Sequence, residues 1–85
     1  MELHKIKIKE EQWRELQEGL ISYHLTKEQN LKEGDLINFI VVNEMMNNPR
    51  LTDVVYKITK VENNLFGELT LINIKKMEVL WKSTY

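Results

Sequence analysis

Three lysines alternate with two isoleucines in the segment HKIKIK, which spans residues 4–9. This alternation predicts a β-strand with its isoleucines in the core and its lysines on the opposite face. Alternate strand residues lie about 6.6–6.8 Å apart, close to the phosphate spacing of an extended single strand of nucleic acid. Lys5, Lys7 and Lys9 are therefore candidates for contacts to successive phosphates. The more common role of such a row is a solvated face that deters edge-to-edge pairing of sheets.

A second group of polar side chains lies in the segment SYHLTK at residues 22–27. Its alternation places His24 and Thr26 on one face of a strand and the aromatic and aliphatic side chains on the other. An imidazole can stack, donate or accept, and a hydroxyl can donate and accept, so both side chains are candidates for contacts to a base or a ribose. Lys27 follows as a candidate for a phosphate contact. The more common role of such residues is to lie on the exposed side of a half-buried strand.

The sequence contains no recognisable catalytic or metal-binding motif. It has no cysteine, which excludes disulfides and thiolate sites. It has neither a Gly-x-Ser-x-Gly elbow nor a Walker loop. Its two histidines, His4 and His24, are too few for a metal site without several carboxylates beside them. We therefore expect no catalytic residues, no metal and no cofactor, and the sequence does not favour an enzyme.

The composition indicates one ordinary domain over residues 1–85, with a net charge of −1 and 42% hydrophobic residues. Non-specific DNA-binding proteins normally carry a large positive excess, which this chain lacks. The longest apolar run, FIVV at 39–42, is too short to span a membrane, and the N-terminal residues include no apolar stretch for a signal peptide. Together with the lack of cysteine, these features predict a cytoplasmic protein.

One helix is predicted at residues 10–20, directly after the first strand. Trp13, Leu16 and Leu20 lie at positions i, i+3 and i+7 and form one apolar stripe. We expect Trp13 to anchor the helix on the sheet. Gly19 can adopt the left-handed conformation that ends a helix.

Strand-like segments follow the helix, at residues 22–27, 36–42, 52–61 and 65–76. Gly34-Asp35 marks a tight turn, residues 62–64 a second turn, and Gly67 a bulge. The tail at 78–85 would pair as a sixth strand or cover the open end of a barrel. Five or six strands with one early helix predict an α+β domain whose sheet curls into a small β-barrel, with the N-terminal helix packed on it.

Several of these motifs occur together in a known superfamily. They are the strand at 4–8, the helix that ends at Gly19, the strand at 23–27, the segment LKEGDL at 31–36 and the strand GELTLI at 67–72. Their order resembles the small ASCH-like domains of the PUA-like superfamily, and more narrowly a family of very short bacterial and phage proteins. The resemblance implies a PUA-like β-barrel with a cleft between helix and barrel that binds RNA or a modified nucleoside.

Four positions depart from the pattern of that family. The lysines that follow its helix-ending glycine are Leu20 and Ile21 here, its glutamate is His24 and its arginine is Thr26. A few ASCH-like domains hydrolyse an acetylated cytidine with a lysine, a threonine and a glutamate, and this chain lacks the lysine and the glutamate at the matching positions. The resemblance therefore implies the fold and the place of the cleft, and not the hydrolysis.

The sequence thus favours a small RNA- or nucleotide-binding module that uses His24, Thr26, Lys27 and the lysine row. The alternative is a protein-interaction or homo-oligomerising module, such as a homodimer, that has kept the barrel and lost the cleft. The departures from the family, the near-neutral charge and the apolar VLW segment at 79–81 support this alternative, because small domains often gain stability by association. A nucleoside amidohydrolase is the third and least supported function.

Overall fold

The computed structural model describes residues 1–43, 45, 48–65 and 67–77, which form an α+β domain with one helix and one five-stranded mixed sheet. In chain order the elements are β1 (Leu3–Lys9), α1 (Glu10–Gln17), β2 (Tyr23–Thr26), β3 (Leu36–Val42), β4 (Arg50–Leu65) and β5 (Leu69–Lys76). The strands lie in the order β1-β3-β4-β5-β2, so β1 and β2 are the edges. The α+β class predicted from the sequence is confirmed.

The alternating segment at the N-terminus forms β1, as predicted. Ile6 and Ile8 are buried, while the three lysines between and beside them are exposed. β1 pairs in parallel with β3, and Ile6 lies opposite Phe39, which is fully buried. Such a parallel pair needs a crossover connection, and the chain supplies it through α1, which packs on both strands.

Helix α1 is shorter than the sequence predicted. Gly19 has a φ of +76°, its amide donates to the Leu16 carbonyl, and the Leu20 amide donates to the Glu15 carbonyl. This pair of hydrogen bonds is a Schellman motif, which ends a helix by satisfying its last carbonyls. The chain has left the helix axis by Leu20, which is 68% exposed. The predicted place of Leu20 on the apolar stripe is therefore wrong.

Trp13 lies at the interface between α1 and the sheet, as predicted, although it is only half-buried. Its ring meets Phe39 and Tyr56 edge-on, at centroid distances of 6.0 and 6.1 Å. Gln17 Nε2 donates to the Tyr56 hydroxyl over 2.8 Å, at the end of the same helix. Burial raises the pKa of Tyr56 above its ordinary value, and the hydrogen bond from Gln17 offsets part of that rise.

The turn before β3 adopts the predicted conformation. Gly34 has a φ of +91°, which side chains other than glycine rarely tolerate. Its amide donates to the Ile58 carbonyl on β4. Asp35, the next residue, is buried and accepts a hydrogen bond from His4, which is the main reason that the pKa of Asp35 lies below its usual value. The turn thus connects the starts of β1 and β3 with the middle of β4.

The last two strands differ from the prediction in their bounds. The predicted turn at 62–64 lies inside β4, where the pairing with β5 shifts register between Glu62 and Leu65. This irregularity accommodates the residues that the sequence assigned to a turn. Gly67, predicted as a bulge within a strand, lies instead in the turn between β4 and β5, with a φ of +87°.

The sheet is open among the described residues, so the predicted closure into a barrel is not found. Closure would need hydrogen bonds between the edge strands, but β1 pairs with β3, and β2 pairs with β5 over only four residues. The tail at 78–85, predicted as a sixth strand or a cover, lies outside the described residues. The one helix that they contain is too short to cross a membrane.

Candidate functional site

A groove of about 530 Å³ is bordered by residues from both edges of the sheet. β1 contributes Lys7 to Lys9, and β2 with the residue after it contributes His24 to Lys27. Gln12 from α1, Val42 from the end of β3 and Leu69 from the start of β5 complete the lining. Since β1 and β2 are the two ends of the strand order, the sheet must curl for both to reach one groove.

The groove carries positive charge. Among the described residues, its lining includes three lysines, Lys7, Lys9 and Lys27, and no carboxylate. A neighbouring depression beside the start of α1 also includes Lys9, but there the cations are mixed with Glu10 and Glu11. A local excess of one charge attracts oppositely charged ligands even where the whole protein is near neutral. The groove therefore suits an anion, although the net charge of the chain is −1.

His24 forms part of the groove wall with an unusual environment for a histidine. It is only 6% exposed, and its ring meets Phe39 edge-on at a centroid distance of 5.2 Å. Burial penalises the protonated ring and lowers the pKa of His24 from 6.5 to about 4. At neutral pH the side chain is therefore an uncharged imidazole, with one nitrogen that donates and one that accepts.

The polar edge of His24 is available to a ligand. Among the described residues no side chain or backbone group forms a hydrogen bond with the His24 ring. In the same part of the chain, every fully buried side-chain nitrogen or oxygen has a hydrogen-bond partner. Both facts hold together only if the ring nitrogens keep some contact with solvent. Because His24 lines the groove, a ligand bound there can exchange hydrogen bonds with it.

Thr26 and Lys27 continue the same wall. Thr26 is 8% exposed, and its Oγ1 accepts a hydrogen bond from the Glu28 amide over 3.1 Å. That bond fixes the oxygen and leaves the hydroxyl proton able to donate. Lys27 is exposed at the end of β2, where a long side chain can reach over the groove.

The inward position of His24 and Thr26 reverses what we expected for β2. The sequence analysis gave the exposed side of a half-buried strand as the more common place for such residues, whereas the structure buries both and leaves Tyr23 and Leu25 44% and 41% exposed. The physical reason is that β2 is a short edge strand. Its inner face meets the ring edge of Phe39, and an imidazole fits that contact while it keeps its nitrogens at the groove.

Of the six side chains singled out in the sequence, the structure brings five to the groove and leaves out Lys5. The five are Lys7, Lys9, His24, Thr26 and Lys27. Lys5 lies on the same strand face but pairs in register with Asn38, nearer the start of β3. The groove lies at the opposite end of this parallel pair, where Lys9 pairs with Val42.

Gln12, Val42 and Leu69 were missed by the sequence analysis. They come from three different elements and share no local pattern, so only the packing of α1 and the curl of the sheet bring them together. Val42 and Leu69 give the groove an apolar part, and Gln12 adds an amide that can donate and accept. Charged, polar and apolar side chains in one concave site are the usual composition of a ligand pocket.

Comparisons with models of known protein families and with curated proteins find no match to this chain. The family resemblance therefore depends on the short motifs alone, and the function has to be argued from the groove.

Proposed function

We propose that this protein is an ASCH-like domain of the PUA-like superfamily, with an open sheet, that binds single-stranded RNA or a nucleotide in the cytoplasm. The observation that carries the proposal is the groove, whose described lining combines three lysines and a neutral histidine without a carboxylate. Its volume of about 530 Å³ lies within the roughly 300–1,000 Å³ typical of small-ligand sites.

The groove offers a separate partner to each part of a nucleotide. Lys7 of β1 and Lys27, which follows β2, both line the groove and supply positive charge for phosphate oxygens. His24 offers one donor and one acceptor to the edge of a base or to a ribose hydroxyl. Val42 and Leu69 provide apolar surface for a base face.

Single-stranded rather than double-stranded RNA is the better match to this site. Bases of a single strand can be splayed out and read on their edges, whereas the major groove of an A-form duplex is too deep and narrow for side chains to read its bases. The site presents a concave pocket with a buried reading group, His24, instead of a broad basic face. We therefore expect one or a few nucleotides to be bound, with a modest salt dependence.

The test is the affinity for a short single-stranded RNA, measured at several salt concentrations for matched variants. Lys7→Gln and Lys27→Gln each remove one groove lysine. Lys5→Gln is the matched control, since Lys5 is an exposed lysine on the same strand that lies outside the groove lining. The two groove variants should weaken binding of all sequences about equally and lower the salt slope by about 0.7 per lost phosphate contact. The control should bind as the wild type does.

Two results would contradict the proposal. One is a wild type that binds neither single-stranded RNA nor mononucleotides. The other is an equal loss for Lys5→Gln and Lys7→Gln, since that would show a general charge effect in place of a site.

The replacement of all three lysines of β1 by glutamine should leave the fold intact, because only Ile6 and Ile8 of that strand are buried in the core.

A homodimer through β2 is the second candidate function. β2 is an edge strand of four residues, and on its outer face Tyr23 and Leu25 are large and exposed. An exposed strand edge can pair with another chain, and exposed apolar side chains strengthen such a contact. Light scattering after size-exclusion chromatography would show a dimer that Tyr23→Lys converts to a monomer, and Tyr23 lies outside the groove lining. A wild type that stays monomeric at high concentration would rule this candidate out.

A further inference from the structure

Three potential metal ligands meet where β1 and β3 begin, at the opposite end of this strand pair from the groove. They are a carboxylate oxygen of Glu2, a ring nitrogen of His4 and a carboxylate oxygen of Asp35, and all three atoms lie within 4.8 Å of one another. His4 Nε2 is 2.8 Å from Asp35 Oδ2 and 3.6 Å from Glu2 Oε2. The imidazole nitrogen thus faces both carboxylates.

We propose that Glu2, His4 and Asp35 bind one divalent transition-metal cation of the zinc type. The sequence analysis expected no metal site because two histidines are too few without several carboxylates beside them. Glu2 lies two residues before His4 in the chain, and the fold brings Asp35 to the same place. Zinc takes imidazole nitrogen and carboxylate oxygen at about 2.0–2.2 Å. Two ligand atoms at such distances from a tetrahedral ion lie about 3.4 Å apart. The 3.6 Å between His4 and Glu2 is close to this value, and a small rotation of the exposed Glu2 side chain with a slight widening of the His4–Asp35 contact would complete the set.

Two of the three ligands are held in place by the fold. Asp35 Oδ1 accepts the Glu2 amide over 3.1 Å, and Oδ2 accepts the Lys32 amide over 3.3 Å. The side chains of Asp35 and His4 are only 8% and 18% exposed. Partners outside the ligand set that orient ligands in this way normally raise metal affinity. The site is therefore largely preorganised before any ion arrives.

The third ligand makes the site accessible. The Glu2 side chain is 77% exposed, so an ion can enter from its side and exchange solvent water for protein ligands. Three protein ligands and an open fourth position suit a tetrahedral ion with one bound water. One nitrogen and two oxygens, without a thiolate, favour zinc or a similar divalent ion over copper(I).

An ion at this place would join two segments that are far apart in the chain. Glu2 immediately precedes β1, His4 is the second residue of that strand, and Asp35 ends the turn before β3. The Leu36 amide also donates to the Glu2 carbonyl at this place. The imidazole of His4 and the carboxylate of Asp35 share a hydrogen bond, and a bound ion would take the place of its proton. Because binding to the folded state alone stabilises that state, zinc should raise the melting temperature.

The experiment uses the full chain without a purification tag, after removal of metal by a chelator. Zinc binding is measured by calorimetry, and cobalt(II) absorption reports the coordination of the ion. The wild type should bind one ion. His4→Gln should abolish the cobalt spectrum, and Glu2→Gln should weaken zinc binding by at least roughly tenfold, the lower limit for partners that only support a ligand. Glu33→Gln, which removes an exposed carboxylate near the turn, is the matched control and should bind as the wild type does.

Three outcomes would overturn the assignment. The first is a wild type that does not bind zinc or cobalt at millimolar concentration. The second is an equal loss for Glu2→Gln and Glu33→Gln. The third is an unchanged cobalt spectrum in His4→Gln. Asp35→Asn would not separate metal binding from folding, because Asp35 also supports the turn. Glu2 is exposed, so its replacement should leave the fold unchanged.

Discussion

The buried imidazole of His24 should make the stability of this protein depend on pH in a predictable window. In the folded chain burial lowers the pKa of His24 to about 4, and in the unfolded chain the ordinary value of 6.5 returns. Each pKa unit of difference corresponds to about 1.4 kcal/mol. Acidification through this range should therefore lower the unfolding free energy by about 3 kcal/mol. This loss is a large part of the roughly 5–10 kcal/mol expected for so small a domain.

The sign follows from proton counting. Between pH 6.5 and about 4 the unfolded chain carries a proton on His24 that the folded chain does not bind, so the unfolding free energy rises with pH in this interval. The contribution is fully present above pH 6.5 and is lost as the pH falls through the folded pKa. Below about pH 4 both states are protonated, and this residue causes no further change.

Urea unfolding of the wild type and of His24→Gln, from pH 7.5 to pH 3.5, isolates this effect. All other ionisable groups are the same in both proteins, so their contributions largely cancel in the difference, while a glutamine at position 24 cannot gain a proton. The wild type should lose about 3 kcal/mol more than the variant between pH 7 and pH 4. A difference in unfolding free energy that stays constant over this range would refute the reasoning. So would an imidazole NMR resonance of His24 that titrates near pH 6.5.

Two further predictions concern the fold. Trp13→Ala should lower the unfolding free energy by about 3 kcal/mol, the low end of the range for a buried tryptophan, because Trp13 is half-buried between α1 and the rings of Phe39 and Tyr56. An unchanged melting temperature would show that the helix is not anchored there. Gly34→Val should cost roughly 1–3 kcal/mol from backbone strain alone, since φ is +91° and an added Cβ would meet no atom within 4 Å. Chemical denaturation measures this cost, and a Gly34→Asn variant should lose less because asparagine tolerates the left-handed region better.

The local elements were largely predictable, because they depend on neighbours in the sequence. The alternation of residues 4–9 identified both the strand and its buried isoleucines, and the glycines at 19 and 34 marked a helix end and a turn that positive φ angles confirm. These features arise from side-chain periodicity and from backbone sterics, which act over a few residues. The sequence also singled out five residues that the groove brings together.

Only the tertiary structure decided which face of a strand points inward and which distant residues meet. Hydropathy suggested that Tyr23 and Leu25 would be covered. The inner face of an edge strand is instead determined by the residue that it packs against, and here His24 is the side chain of β2 in contact with the Phe39 ring. Among the described residues the sheet stays open. Its closure would depend on whether the two edge strands come within hydrogen-bonding distance, which the tertiary packing decides. Asp35 lies 31 residues after His4 in the chain and is in contact with it in the fold, because β1 and β3 pair in parallel and begin side by side.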